Sequence, residues 1–300
     1  MHCTHFFKKW IAATRLETIP LALAGVGLGS ALASFTGHFS WSIGLLAAVT
    51  ASSLQVICNL ANDYGDFVHG ADVINYIKPP SALQTGGVTL AQVKRALPWL
   101  VGVASGAGLL LLYLAGLSWI EVLSFTFLGG LAILAALLYT LGRRPYGYQG
   151  GGDVAVFAFF GLLGVGGTFY LHTRQLHPIW FLPAVSYGSL VVGVLNVNNL
   201  RDMATDVSVG KKTVPVRIGR KAALAYHWFL LGVGVISVLS FLLCYADKPW
   251  PYLCLCVVPW LLRHGMAMRN RNATHFTEQL QILVCLIFIF FTLLSIGLLY

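Results

Sequence analysis

Long apolar segments run through the whole chain, and they restrict it to one kind of fold. A membrane-spanning helix needs about 20 mostly apolar residues, and nine segments approach or reach that length. They cover residues 18–36, 42–62, 97–117, 119–141, 154–172, 179–200, 223–245, 249–263 and 279–300. Only 10% of the 300 residues are charged, whereas soluble domains carry about 25%. We therefore predict an all-α, multi-pass membrane bundle of nine transmembrane helices that forms a single domain over residues 1–300.

The basic residues support this count and give an orientation. Cytoplasmic segments of membrane proteins carry an excess of lysine and arginine. If the N-terminus is cytoplasmic, nine spans place 17 of the 19 lysines and arginines inside and leave only Arg174 and Lys248 outside. We therefore predict a cytoplasmic N-terminus and an outer C-terminus. The net charge of +9 mostly reflects this topology, and binding to nucleic acid is not expected.

Acidic residues are rare in the chain, and half of them fall in two clusters that repeat a pattern. In the first cluster, Asp63 follows Asn59 by four positions. In the second cluster, Asp202 follows Asn198 by the same four positions, and the two pairs are 139 residues apart. The members are Asn59, Asp63 and Asp66, with Asp72 nearby, and Asn198, Asp202 and Asp206. Residues three and four positions apart share a helix face. We therefore expect each triplet to project from one face of the second and of the sixth helix, so that four carboxylates converge.

Converging carboxylates need a counter-charge. Like charges raise each other's pKa, and an ionised aspartate in a membrane helix costs a few kcal/mol. Mg²⁺ removes both penalties, since it takes oxygen ligands and completes its shell with substrate phosphates. Zinc is disfavoured because neither cluster contains histidine or cysteine. The alternative is that the acids form salt bridges with the lysines and arginines of the loops.

Basic residues beside the second cluster indicate an anionic substrate. Arg201 precedes Asp202, and Lys211 and Lys212 follow Asp206 by a few positions. Cations and metals together stabilise the charge that develops on a leaving group such as diphosphate. The remaining walls of the predicted bundle are apolar, so the other part of the substrate should be a lipid such as a polyisoprenoid. A solvated, positively charged cytoplasmic loop is the alternative for these lysines.

Four segments carry a resemblance to a known family. They read TIPLALAGVGLG, NLANDYGDFVHGAD, RRPYGYQGGGD and LNVNNLRDMATDVSVGKKTVPVRIG. With them the chain resembles the UbiA-type intramembrane prenyltransferases over nearly its whole length. That resemblance implies nine transmembrane helices and two Asp-rich motifs that bind a polyprenyl diphosphate through Mg²⁺. It also implies a location in the bacterial cytoplasmic (inner) membrane, with the active site facing the cytoplasm.

The glycine-rich segment from Arg143 to Asp153 points to one branch of that family. The implied reaction belongs to menaquinone biosynthesis: a polyprenyl group passes to 1,4-dihydroxy-2-naphthoate, carbon dioxide and diphosphate leave, and demethylmenaquinol forms. Prenylation of another aromatic acid, 4-hydroxybenzoate or homogentisate, is the alternative within the family. A membrane transporter with broken helices is the alternative outside it, although its acids would lie near the bilayer midplane.

The resemblance also implies roles for individual residues. The metal ligands would be Asp63, Asp66, Asp202, Asp206 and Asn59, and Lys212 would contact the diphosphate. Asn62, Asn198, Arg201 and Lys211 are further candidates for substrate binding. Two positions depart from the family pattern, because Gly70 stands where many members have a third aspartate and Thr85 where close relatives have a lysine. The diphosphate could be held there by Lys78 or by backbone amides.

The acceptor is a carboxylic acid, which suggests two further candidates. Arg143 and Arg144 could hold its carboxylate, because a guanidinium donates two parallel hydrogen bonds. Asp153 could accept the phenolic proton and so activate the ring. The alternatives are that the arginines only anchor a cytoplasmic loop and that Asp153 caps a helix.

Overall fold

The described part of the protein is helical throughout. The computed structural model describes residues 9–70, 81–269 and 273–300. Its helices are α1 (Ile19–Phe35), α2 (Trp41–Val68), α3 (Leu90–Leu114), α4 (Trp119–Leu138), α5 (Gly152–Thr173), α6 (Phe181–Arg201), α7 (Met203–Ser208), α8 (Val214–Tyr245), α9 (Val258–Ala267) and α10 (Ala273–Leu299). Asp72 and Lys78 lie outside the described residues.

Eight helices within the described ranges are long and apolar enough to cross a membrane, and they include every helix listed above except α7 and α9. The prediction of an all-α, multi-pass membrane bundle is therefore confirmed. The eighth predicted segment, 249–263, is helical but is not one of these eight membrane-length helices. It forms a 3-10 helix over Trp250–Val257 that continues into α9. Pro259 lacks the N–H that a continuous α-helix would donate to the carbonyl of Leu255, and that carbonyl accepts instead from the N–H of Val258 in a 3-10 bond.

Helix α6 occupies the centre of the bundle. Most of its residues are buried, and it packs against α1, α5, α8 and α10. Gly161 of α5 and Gly188 of α6 meet backbone to backbone, and a Cβ on Gly161 would lie 2.9 Å from Cα of Gly188. The outward faces of the peripheral helices carry large exposed apolar side chains, such as Trp119 and Phe127 on α4. Such faces suit a lipid solvent.

Helix α2 reaches further than its apolar segment. The prediction ended this helix at residue 62, whereas α2 continues to Val68 and therefore includes Asp63 and Asp66. Gly65 allows this extension to pack closely, because a Cβ there would lie 2.6 Å from the carbonyl oxygen of Thr140. The Thr140 hydroxyl in turn donates to the carbonyl of Ala61 at 2.8 Å. The first acidic cluster thus sits on a fixed helix face.

The second acidic cluster is arranged differently from the prediction. Helix α6 ends at Arg201, Asp202 caps it with φ −91° and ψ 4°, and Asp206 lies on the separate short helix α7. The expectation that Asn198, Asp202 and Asp206 share one continuous helix face is therefore wrong. Asp206 nevertheless lies near α2, because Lys211 contacts both Asp206 and Asp66.

Candidate active site

A large cavity lies inside the bundle, with a volume of about 1160 Å³. Its walls are formed by α1 to α6, by α10 and by the segments that precede α1 and α3. Along α2 the lining changes from apolar residues such as Ala47 to Gln55, Asn59, Asn62 and Asp63 near the helix end. The other polar lining residues at this end are Lys9, Arg15, Glu17, Thr18, Ser81, Thr85, Asn198 and Arg201. The cavity therefore combines a long apolar pocket with one polar end.

An eleven-residue π-helical stretch forms part of the apolar wall. It covers Phe157–Gly167 in the middle of α5, and Phe159, Phe160 and Leu163 line the cavity. π-helical turns occur mostly at functional sites, because the wider turn redirects side chains without ending the helix. Here the wide turns leave α5 close to α6 on one side and open to the cavity on the other.

The first acidic cluster is tied to the N-terminal segment. Asp63 is buried and pairs with the guanidinium of Arg15. Asn59 donates to the carbonyl of Thr14 and to the hydroxyl of Thr18, each at 2.9 Å, and its oxygen accepts from Gln55 at 3.0 Å. Arg15 adopts a left-handed backbone conformation (φ 48°, ψ 60°), which is uncommon outside glycine. These contacts fix Arg15 at the polar end of the cavity.

The second cluster is built around a two-pronged ion pair. Arg201 donates from Nε to one oxygen of Asp202 at 2.8 Å and from Nη2 to the other at 2.7 Å. Nη2 also donates to Oδ1 of Asn198 at 2.8 Å. Both side chains are largely buried. Asn198 and Arg201 line the cavity, as Asp63 and Arg15 do, whereas the side chains of Asp66, Asp202, Asp206 and Lys211 are not part of the lining.

Lys211 joins the two clusters. Its ammonium lies 3.9 Å from Oδ1 of Asp66 and 3.6 Å from Oδ1 of Asp206. The hydroxyl of Tyr148 donates to the same oxygen of Asp66 at 2.9 Å, and Thr213 donates to Oδ2 of Asp206 at 3.3 Å. The predicted convergence of two distant acidic clusters is therefore confirmed for Asp66 and Asp206.

Burial and charge act in opposite directions on this pair. Burial raises the pKa of Asp206 to about 6, and the nearby charges of Asp202 and Asp66 add to the rise while Lys211 opposes it. Burial alone would lower the pKa of Lys211, but Asp66, Asp206 and Asp202 raise it above its usual range. Lys211 is therefore a buried, fully charged ammonium at neutral pH.

The donor atoms fit a magnesium site that a phosphate completes. Four buried carboxylates and the side-chain oxygen of Asn62 are available, and that oxygen has no hydrogen-bond partner among the described residues. Within the described ranges, however, no three acidic, histidine or cysteine side chains come close enough to hold a metal by themselves. Mg²⁺ usually binds one or two carboxylates, keeps some waters and takes the rest of its ligands from substrate phosphates. The salt bridges of the alternative interpretation are also present, through Arg15, Arg201 and Lys211.

Several candidate residues lie away from the cavity lining. Arg143 and Arg144 are exposed, and so is Lys212, whose backbone N–H donates to the carbonyl of Tyr148 at 2.8 Å. Asp153 is buried and accepts from the hydroxyl of Tyr226 at 2.9 Å. The alternative role of Asp153 as a helix cap is wrong, because Gly151 holds the N-cap position.

Sequence reasoning missed Thr213, which contacts Asp206, and Tyr226, which contacts Asp153, and it missed two residues that contact the first acidic cluster. Arg15 lies 48 positions from Asp63, inside a basic segment that topology alone explains. Tyr148 lies 82 positions from Asp66, within the glycine-rich segment that carried the resemblance. Nothing in the sequence separates Arg15 from its basic neighbours. For Tyr148, its place in the RRPYGYQGGGD segment was the one available signal.

Comparison with known proteins identifies relatives of this chain. The model of the UbiA prenyltransferase family matches residues 20–275. The 1,4-dihydroxy-2-naphthoate octaprenyltransferase of Escherichia coli is 42% identical over 86% of this chain and 84% of that protein. The enzyme of the same name from Haemophilus influenzae is 40% identical over 86% of this chain and 85% of that protein. A UbiA homolog from Archaeoglobus fulgidus, solved bound to GPP and Mg²⁺, has a similar fold, with a TM-score of 0.65 and 13% identity over 96% of this chain and 99% of that one.

The chain belongs to the UbiA prenyltransferase family, whose model covers most of its length. The fold, the cavity and the paired acidic clusters are those of an integral, multi-pass membrane prenyltransferase.

Proposed function

We propose that this chain transfers a polyprenyl group from polyprenyl diphosphate to 1,4-dihydroxy-2-naphthoate. Carbon dioxide and diphosphate leave, and the product is demethylmenaquinol, an intermediate of menaquinone biosynthesis. The observation that carries this assignment is the identity of 40% or more, over 86% of the chain, with two enzymes named for that acceptor. Both of these enzymes are named for the naphthoate, which favours it over 4-hydroxybenzoate or homogentisate as the acceptor and favours a prenyltransferase over a transporter.

The diphosphate would bind at the polar end of the cavity. Asp63, Asp66, Asp202 and Asp206 would hold Mg²⁺, with Asn59 as an additional ligand or the oxygen of Asn62, which has no hydrogen-bond partner in the described part of the chain. When bound, Mg²⁺ neutralises the charge that develops on the departing diphosphate. Fixed cations of the chain act on the same charge. Two of these cations, Arg15 and Arg201, line the cavity, and a third, Lys211, lies close to Asp66. The next residue, Lys212, is exposed.

The prenyl chain would lie along the apolar part of the cavity. Leucine, alanine, glycine and phenylalanine side chains from α1 to α6 line this space. They exclude water from the allylic carbon, so that the electron-rich ring of the acceptor and not water captures it. The relatives are named for an octaprenyl chain, but this does not fix the length of the prenyl chain that this protein accepts. That length depends on the depth of its cavity.

The acceptor must place its ring beside the allylic carbon and its carboxylate near a cation. Arg143 and Arg144 are candidates for the carboxylate from sequence, and Lys9, Arg15 and Arg201 are candidates by their place in the cavity lining. Asp153 is the candidate base for the phenolic proton. It would reach the acceptor only if the hydrogen bond from Tyr226 is exchanged.

We further propose nine transmembrane segments with a cytoplasmic N-terminus, of which the eighth is the composite helix of Trp250–Val257 and α9. The asymmetry of lysine and arginine supports this topology. It sets the polar end of the cavity at the cytoplasmic face of the bacterial inner membrane, where diphosphate and the acceptor are water-accessible. Cysteine accessibility labelling at Arg174→Cys and Lys212→Cys in spheroplasts tests it, since only the former should react with an impermeant reagent.

Activity of the purified protein tests the assignment directly. The assay supplies octaprenyl diphosphate, Mg²⁺ and each of the three aromatic acids, and detects the prenylated product by mass. We expect product with the naphthoate, release of labelled carboxyl carbon as carbon dioxide, and no product in excess chelator. Asp63→Asn should abolish turnover while the protein still inserts and folds. Preference for another acid would refute the assigned acceptor, and full activity in chelator would refute the metal site.

A further inference from the structure

Lys211 occupies a position in which a cation already links the two acidic clusters. It lies in the loop between α7 and α8, and its side chain is buried. The ammonium is nearly equidistant from Asp66 on α2 and Asp206 on α7, at 3.9 and 3.6 Å. The two carboxylates come from the two copies of the repeated motif, so Lys211 performs the electrostatic role that the repeat would otherwise require of a metal.

The surroundings of Lys211 hold it in this place. Its backbone N–H donates to the carbonyl of Asp206 at 2.8 Å, which closes the loop onto α7. The ammonium lies 5.0 Å from the ring centroid of Tyr148, whose hydroxyl donates to Asp66. The neighbouring Lys212 ties the loop to Tyr148 through its own backbone N–H. Contacts from three directions thus enclose the side chain.

A magnesium ion shared by Asp66 and Asp206 would need the same oxygen atoms. Mg²⁺ approaches its ligands to about 2.0–2.1 Å, so a metal on these Oδ1 atoms would lie within a few ångströms of the ammonium. Two cations that close repel strongly in a site largely shielded from water. The ammonium must therefore move away from these oxygens, and an anion arriving with the metal offers it a new partner.

We propose that Lys211 competes with Mg²⁺ for Asp66 and Asp206, and thereby makes metal binding depend on diphosphate. Metal alone binds weakly because it must displace an internal cation. Metal that arrives with diphosphate binds well because the displaced ammonium pairs with the anion. This inference rests on the proposed metal site, and it adds an order of events: metal and diphosphate enter together. Lys211 is a positioning residue in this scheme.

Metal binding without any substrate provides the test. The full-length protein in detergent is stripped with chelator and titrated with Mn²⁺ alone, and free Mn²⁺ is measured by electron paramagnetic resonance. K211M removes the charge and keeps most of the side-chain volume, and we expect it to bind Mn²⁺ on the order of tenfold more tightly than the wild type. The matched control is K221M, which loses the same charge from an exposed position on α8 and should stay within about twofold, because exposed charges are screened.

Thermal unfolding gives a second measurement. Without metal, K211M should unfold at a lower temperature than the wild type, because Asp66 and Asp206 lose their shared counter-ion. Mn²⁺ should then raise the unfolding temperature of K211M more than that of the wild type. If K211M does not fold, K211Q replaces it, since the neutral amide can still donate to a carboxylate.

The outcomes separate this inference from the metal site itself. Equal or weaker Mn²⁺ binding by K211M, with clear binding by the wild type, would overturn the competition and leave the metal site intact. An equal gain in K221M would also overturn it, because general electrostatics would then explain the effect. Absence of saturable Mn²⁺ binding in every variant would overturn both the metal site and the role of Lys211.

Discussion

The ion pair of Arg201 and Asp202 allows the structural and catalytic roles of an acidic residue to be separated. In Asp202→Asn the side chain keeps its shape, but one carboxylate oxygen becomes an amide nitrogen that faces a guanidinium donor. One of the two hydrogen bonds, at 2.7 and 2.8 Å, is therefore lost. A hydrogen bond to a charged group contributes about 1.5–3 kcal/mol. Arg201 keeps its bond to Asn198, so we expect the free energy of unfolding to fall by about 2–3 kcal/mol.

Turnover should respond far more strongly than stability. Loss of one group that stabilises developing charge lowers kcat by about 100-fold or more. The double variant Arg201→Gln with Asp202→Asn removes the buried charge together with its partner, since both side chains are 12% exposed or less. We expect its unfolding free energy to recover to within about 1 kcal/mol of the wild type, while turnover stays low. Unfolding in detergent and product mass per folded enzyme measure the two quantities.

Recovery of turnover in the double variant would refute this reasoning. It would mean that Asp202 serves only as the partner of Arg201, which is the salt-bridge alternative raised by the sequence. Normal turnover in Asp202→Asn alone would refute it as well. The single variant Arg201→Gln completes the cycle and gives the coupling energy between the two side chains.

Three further changes test other parts of the structure. Gly108 lines the cavity, and a Cβ there would meet only Thr50 at 3.8 Å, so Gly108→Leu should fit and shorten the pocket. It should lower kcat/KM for octaprenyl diphosphate by roughly tenfold relative to geranyl diphosphate; equal effects on both would contradict this. Gln279 accepts from Nδ1 of buried His264 at 2.9 Å, so Gln279→Leu should lower the unfolding free energy by about 1–3 kcal/mol, measured by thermal denaturation. Arg143→Ala with Arg144→Ala should leave stability within about 0.5 kcal/mol and raise the KM of the acceptor; an unchanged KM would exclude these arginines as its binding site.

The apolar segments predicted where helices lie better than where they end. The predicted second helix stopped at residue 62 because apolar residues run out there, whereas the backbone hydrogen bonds of α2 continue to Val68. Helix α8 is interrupted at Gly219, whose φ of 78° and ψ of 158° are not helical, so its long uninterrupted part begins close to the predicted residue 223. The polar end of α2, by contrast, forms part of the site. Hydropathy therefore fails where a membrane helix carries function.

Helical spacing predicted which acids converge but not how the second cluster is built. Asn198, Asp202 and Asp206 have the spacing of one helix face, yet the chain turns at Asp202 and places Asp206 on α7. The backbone bond from the N–H of Asp206 to the carbonyl of Asp202, at 2.8 Å, preserves the local spacing through the turn. The four-residue spacing in the sequence is consistent with this local hydrogen bond. It does not show that α6 ends and a separate helix, α7, begins at this point.

The acids were predictable and their basic partners were not, because the two kinds of residue carry different information in a membrane protein. An acidic side chain in an apolar segment is costly, so its presence at all indicates a purpose. Four of the ten acidic residues form the proposed site. Lysine and arginine are common at the cytoplasmic ends of helices for reasons of topology, and this conceals any that also act in chemistry. Arg15 is one of nineteen lysines and arginines, and no sequence pattern distinguishes it from the others. It pairs with Asp63 from a left-handed backbone conformation before α1, which the sequence did not predict.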